Sequence, residues 1–176
     1  MKLSPWLGVP ALVLALMMPC LTHAQSATSL KPVISARFPD VQWIDSATLS
    51  RWMKHKAPKH LVLLDARTKA EFAVSHLRGA RRIDPDAPDI KSLRIPPDAT
   101  VVVYCSVGYR SADIAHQLMG AGIGKVYNLE GGIFVWANEG RPVYRDKKRV
   151  KLVHPYDKIW GRFLHEDLRA PLPETK

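Results

Sequence analysis

A chain of 176 residues is long enough for one domain with a real core and too short for two once a removable front segment is subtracted. With 26 basic residues against 16 acidic ones and a net charge of +10, it suits nucleic acid, anionic surfaces or small anionic substrates. No internal repeat or low-complexity segment is present, which excludes repeat architectures.

Lys2 precedes an apolar run from Leu7 to Met18, and Thr22-His23-Ala24 follows. This pattern predicts a secretory signal peptide over residues 1–24, cut after Ala24, and a periplasmic or secreted product. The apolar run is short for a membrane-spanning helix, so cleavage with no stable anchor afterwards is expected, the competing reading being an uncleaved membrane anchor. Pro19 stands where lipoprotein processing at Cys20 wants a small residue. Cleavage removes Lys2 and no acidic residue, leaving 25 basic against 16 acidic residues, or +9. Export argues against nucleic acid as the partner of that charge. It also leaves Cys105 as the single thiol, so no intramolecular disulfide can form, and that thiol is either buried and inert or held for chemistry.

Residues 25–40 are polar and broken by Pro32 and Pro39, and are expected to be a flexible lead-in linker. The domain is expected over 41–144. Gln42-Trp43-Ile44 suits a short strand, and Asp45 or Ser46 can cap a helix carrying Leu49, Trp52 and Met53 at helical spacing. Leu61 to Leu64, ending in Asp65, reads as a strand buried on both faces. Thr68 can cap a short helix through Val74. A loop follows, then a stretch with Pro85, Pro88, Pro96 and Pro97 that excludes long regular elements. Thr100 to Tyr104 is β-branched and apolar, Cys105 to Arg110 is a glycine-containing turn, and Ser111 to Met119 has a helical apolar face. Gly120 and Gly122 end that helix. Lys125 to Leu129 suits another strand, and Gly131-Gly132 a turn before Phe134 to Trp136. Strands alternating with helices imply an α/β domain with a mainly parallel sheet. The remainder, 145–176, is a basic and aromatic extension. Arg145, Lys147, Lys148, Arg149 and Lys151 read as a solvated face; Tyr156, Trp160 and Phe163 either pack back on the domain or recognise a partner protein.

Sites in parallel sheets collect beyond the carboxyl ends of strands, where Cys105 stands. In Cys105-Ser106-Val107-Gly108-Tyr109-Arg110, Gly108 permits a tight cradle of backbone N–H groups before the positive end of a helix. Such donors favour a thiolate, and equally a persulfide anion, so Cys105 is expected to be a nucleophile. Arg110 has two readings, a bidentate contact to an anionic substrate or a pair with a carboxylate that braces the loop. His154 and His165 are eleven residues apart with no cysteine near, and His55 and His60 stand alone, so no metal site is expected.

Four segments in order, Leu64-Asp65-Ala66-Arg67 with Glu71-Phe72, Ser75-His76-Leu77-Arg78-Gly79-Ala80, Cys105 through Ser111, and Leu129-Glu130-Gly131-Gly132-Ile133 with Trp136, resemble the rhodanese (thiosulfate sulfurtransferase-like) domain. The resemblance implies a three-layer fold, a five-stranded parallel sheet flanked by helices, and Cys105 as the sulfur-carrying nucleophile. It implies a substrate loop of Ser106, Val107, Gly108, Tyr109, Arg110 and Ser111, with Asp65, Arg67, His76 and Gly79 as structural support. It further implies no cofactor, a small sulfur donor, and a thiol, cyanide or protein as acceptor. Val107 and Glu71 stand where thiosulfate enzymes of the family often carry basic residues, and Ser106-Val107-Gly108 differs from the loop of the mercaptopyruvate enzymes, which leaves the donor open. Two rivals are a phosphatase or arsenate reductase, which in this fold places five residues between Cys and Arg rather than the four here, and a persulfide carrier or protein-binding module with little turnover.

Overall fold

The computed structural model describes residues 27–55 and 57–172; the signal segment expected over 1–24 lies outside them. Strands β1 (Gln42–Ile44), β2 (Leu61–Asp65), β3 (Arg81–Arg82), β4 (Thr100–Tyr104) and β5 (Lys125–Leu129) form one sheet in the order β1-β5-β4-β2-β3. Every pairing in it is parallel. Helices α1 (Lys31–Arg37), α2 (Ser46–Lys54), α3 (Lys69–Val74), α4 (Tyr109–Gly120) and α5 (Gly132–Asn138) flank it. The mainly parallel α/β sheet follows the alternation of strands and helices in the sequence, and the three-layer arrangement is the one the family resemblance implies.

The central strand explains the layering. Successive side chains of a strand point to opposite faces, and all five of β4 are buried. Val101 and Val103 join one core cluster with Ile34, Ala112, Ala115 and Leu118, from α1 and α4. Val102 and Tyr104 join the other with Leu49, Ile133, Phe134 and Trp136, from α2 and α5. A strand covered on both faces needs a continuous apolar run, and TVVVY supplies one.

The N-terminal caps follow the sequence. Asp45 accepts the Thr48 N–H at 2.7 Å, and Thr68 with Glu71 closes a reciprocal capping box on α3. Elsewhere the structure corrects the expected organisation. The lead-in linker of 25–40 holds α1, and Ala27, Ile34 and Phe38 are buried. Pro32 starts that helix instead of breaking it, because the first turn needs no N–H from proline. The loop after Ser75 contains β3, and Gly131-Gly132 opens a helix instead of a turn.

The basic run also has structure. β6 (Val143–Arg145) and β7 (Lys148–Val150) form an antiparallel hairpin through Asp146, whose φ of 53° suits a residue with a short polar side chain. Beyond it Val153 and Leu164 are fully buried in the second cluster, so the aromatic extension packs back on the domain. Among the described residues no helix is long and apolar enough to cross a membrane.

Candidate active site

Cys105 follows β4 directly and its side chain is almost wholly enclosed. The chain then turns through Ser106, Val107 and Gly108 into α4. At Gly108, φ is 111°, a conformation that side chains with a Cβ avoid. The turn aims the Gly108 N–H at Cys105 Sγ, at 3.1 Å. α4 begins directly after this turn, so its positive N-terminal end follows Gly108 in the chain.

Three elements hold this loop. From α5, the Ile133 and Phe134 N–H groups donate to the Cys105 and Ser106 carbonyls at 2.9 and 3.1 Å. That approach requires Gly132: a Cβ there would meet both carbonyl oxygens, 2.6 Å from that of Ser106, at a φ of 57°. Gly132→Ala is therefore expected to cost about 3 kcal/mol of stability in urea unfolding, the sum of a backbone clash and left-handed strain. From β5, Asn128 Nδ2 donates to the Gly108 carbonyl at 2.8 Å, while Ser111 Oγ donates to Asn128 Oδ1 at 2.7 Å. Ser111, expected in the substrate loop, is thus a buried bolt beneath it.

The third anchor is Glu71 of α3, which is 1% exposed. Its Oε1 accepts from Ser106 Oγ at 2.9 Å and Arg110 Nη2 at 2.8 Å; its Oε2 accepts from Arg110 Nη1 at 2.8 Å and from the Thr68 N–H at 3.0 Å. Of the two readings of Arg110, the brace is the one present: both terminal nitrogens are engaged by a carboxylate, and Nη2 also donates to Ser106 Oγ at 3.0 Å. Burial alone would raise the Glu71 pKa. The hydrogen bonds and charge of Arg110 outweigh it, with help from the charge of Arg67 and the Thr68 N–H, and hold it at about 2. Since the folded value lies below the ordinary 4.5, the resulting stability is complete above that pH and is lost as pH falls toward 2. Acid titration of stability should show a loss of about 3 kcal/mol across that window, largely absent in Glu71→Gln, which has already forfeited the ionised pair.

Asp65, Arg67 and His76 lie in the supporting scaffold. Arg67 Nε and Nη2 donate to the Asp65 carboxylate at 2.8 and 2.7 Å, and Nη2 donates to the Ser75 carbonyl at 2.6 Å. Neither side chain has exposed surface. Asp65 holds Arg67 in its charged form against a burial effect that favours neutrality. His76 stacks on Phe72 with ring centres 4.2 Å apart, and its Nδ1 lies 3.0 Å from the Leu77 carbonyl oxygen. Its backbone bridges to Tyr144, tying this loop to β6. Gly79 supplies a positive-φ turn after it.

Cys105, Ser106, Val107, Tyr109 and Arg110 open onto one cleft of about 360 Å³, completed by Tyr156 and Trp160 of the extension. The Tyr156 ring lies over the Arg110 guanidinium, 4.8 Å from its centre. Glu71, Asn128, Tyr156 and Trp160 were not among the expected site residues. Glu71 stands in a family segment and three residues after the Thr68 cap, neither of which ties it to Arg110; Asn128 is the single polar residue after a valine-tyrosine pair in a strand, and the aromatics offer no pattern that ties them to Cys105. Among the described residues no group of three or more His, Cys, Asp or Glu side chains could hold a metal.

A chain with this loop at this strand end has many relatives. Residues 46–139 match the model of the Rhodanese-like domain. A sulfurtransferase of Allochromatium vinosum is 38% identical over 103 residues, covering 58% of this chain and 94% of that protein. The thiosulfate sulfurtransferase GlpE of Ectopseudomonas mendocina is 33% identical over 75 residues, covering 43% of this chain and 69% of that one. Some relatives are far larger: the chain spans 23% of a probable adenylyltransferase/sulfurtransferase of Mycobacterium tuberculosis. Among solved structures, a rhodanese-related protein of Thermoplasma volcanium superposes with a TM-score of 0.52 at 27% identity, covering 60% of this chain and 99% of that one. A protein of Rhodopseudomonas palustris described as a possible tyrosine phosphatase gives 0.54 at 25% identity, covering 65% and 93%. The family match spans more than half of the chain and takes in the Cys105 loop and strands β2 to β5: the chain belongs to the rhodanese-like domain family, alongside sulfurtransferases.

Proposed function

We propose that this protein is an exported sulfurtransferase that carries a sulfane sulfur as a persulfide on Cys105. The observation that carries the reading is the position of Sγ: at the foot of an open cleft, at the carboxyl end of β4, with the Gly108 N–H directed at it. A thiolate there attacks the outer sulfur of a donor, the donor's sulfur–sulfur bond breaks, and the bonding pair leaves with the donor's remainder. The resulting persulfide anion takes the same Gly108 N–H. Cys105 is the one free cysteine among the described residues, so no neighbouring thiol discharges the persulfide, and the sulfur passes to an external thiol, cyanide or a protein.

A four-residue loop and an Arg110 already bound by Glu71 speak against a phosphatase, which needs its arginine free for a tetrahedral oxyanion. The binding-module reading draws on the aromatic extension beside the cleft. Steady-state kinetics separate the two: a sulfurtransferase gives parallel double-reciprocal lines when donor and cyanide are varied, the pattern of a covalently loaded enzyme. A folded protein that forms no thiocyanate above background would favour the binding module. Export rests on the front segment, and N-terminal sequencing of the protein recovered from a bacterium should begin at Gln25; a first residue of Met1 would contradict it.

A further inference from the structure

The cleft over Cys105 has two origins. Its floor comes from residues 105–110, inside the family match, whereas Tyr156 and Trp160 lie in the extension beyond residue 139. About 360 Å³ suits a small organic molecule, and the walls that face it are chiefly carbon. The extension presents a set wall: the Tyr156 N–H donates to His154 Nδ1 at 3.0 Å, the Trp160 N–H to Asp157 Oδ1 at 2.7 Å, and Trp160 stacks on Phe163 at 5.8 Å. Such a wall is organised before any ligand arrives.

Arg110, the one cation among the described residues that line the cleft, offers little to a doubly charged ligand. Arg110 carries Glu71 on both terminal nitrogens and Tyr156 over its face. A dianion would have to displace a buried carboxylate that Thr68 and Ser106 also hold, or lose its water against apolar walls with no free counter-charge.

Resting on the sulfurtransferase reading, we propose that the C-terminal extension selects an organic sulfane donor with an apolar carrier group, which Tyr156 and Trp160 receive while the outer sulfur meets Cys105 Sγ. The chemistry balances without an oxidant. With a thiosulfonate, R–SO2–S⁻, the Cys105 thiolate forms a bond to the terminal sulfur, the bond between that sulfur and the sulfonyl sulfur breaks, and its electron pair leaves on the sulfinate R–SO2⁻. The persulfide Cys–S–S⁻ remains. An organic hydropersulfide reacts in the same way, with the thiolate R–S⁻ as leaving group.

The test compares kcat/KM for thiocyanate formation from benzenethiosulfonate, methanethiosulfonate and thiosulfate. The wild-type protein should prefer the phenyl donor over the methyl donor by about tenfold or more, the usual worth of filling an apolar pocket, and should use thiosulfate least well. Tyr156→Ala, at a site 43% exposed and so tolerant of truncation, and Trp160→Leu should each collapse the phenyl-to-methyl ratio through KM for the phenyl donor. Because both donors are measured on the same preparation, partial loss of folded protein cancels in that ratio. Equal use of the two thiosulfonates, a preference for thiosulfate, or a ratio unchanged in both variants would overturn the proposal while leaving sulfur transfer intact. Failure of folded wild-type protein to gain sulfur from any of the three would instead overturn the underlying reading, and this proposal with it.

Discussion

Cys105→Ser should reduce thiocyanate formation to the uncatalysed background while leaving the fold in place. A serine hydroxyl is far too weakly acidic for one N–H donor and a helix terminus to ionise, and oxygen cannot hold the sulfur as a persulfide. The packing change is slight: Ser occupies nearly the same volume, and its oxygen can still accept the Gly108 N–H that now reaches Sγ at 3.1 Å. Circular dichroism and the urea midpoint should therefore stay close to wild type, with a stability change of about 1 kcal/mol. A folded Cys105→Ser variant turning over at the wild-type rate would remove Cys105 from the chemistry.

The largest effect on stability is expected away from the cleft. Asp65→Ala leaves the Arg67 guanidinium with no exposed surface and without its carboxylate. Removing one partner of a buried pair costs about 3–5 kcal/mol, against a total of roughly 5–15 kcal/mol for a typical domain. The Ser75 carbonyl remains as an acceptor for Nη2, while Nη1 has no hydrogen-bond partner even in the intact protein. Replacing both residues together, as Asp65→Leu with Arg67→Met, should recover much of the loss, because no charge is then stranded. Urea unfolding of the single and double variants checks this; a single variant within about 1 kcal/mol of wild type would show that solvent reaches Arg67.

The parts legible in the sequence share a physical cause. TVVVY and LVLLD could be read as central strands because burial on both faces demands unbroken apolar runs. Cys105 could be placed at a strand end because Gly108 announces the turn that follows. Thr68, and Asp45 as one of two candidates beside Ser46, could be read as caps because capping is local. What escaped depends on contacts distant in sequence. Nothing near Pro32 distinguishes a helix start from a broken linker until Ile34 and Phe38 find the core built by α4 and β4. Glu71 meets Arg110 across 39 positions, so the Thr68 cap beside it could be read locally and its brace could not. Tyr156 and Trp160 reach the cleft only after the chain has formed the β6–β7 hairpin and buried Val153. Arg110 stayed undecided for the same reason, since a guanidinium looks alike in sequence whether its partner is a substrate or a glutamate.

The central claim is that Cys105 carries the transferred sulfur, and intact-mass measurement tests it most directly. After incubation with an organic thiosulfonate and removal of the excess, the wild-type protein should gain the mass of one sulfur atom, located to the peptide containing Cys105, and cyanide should return the original mass with release of one equivalent of thiocyanate. A protein that forms thiocyanate catalytically while its mass never changes, or that carries the added sulfur on a peptide lacking Cys105, would contradict the account.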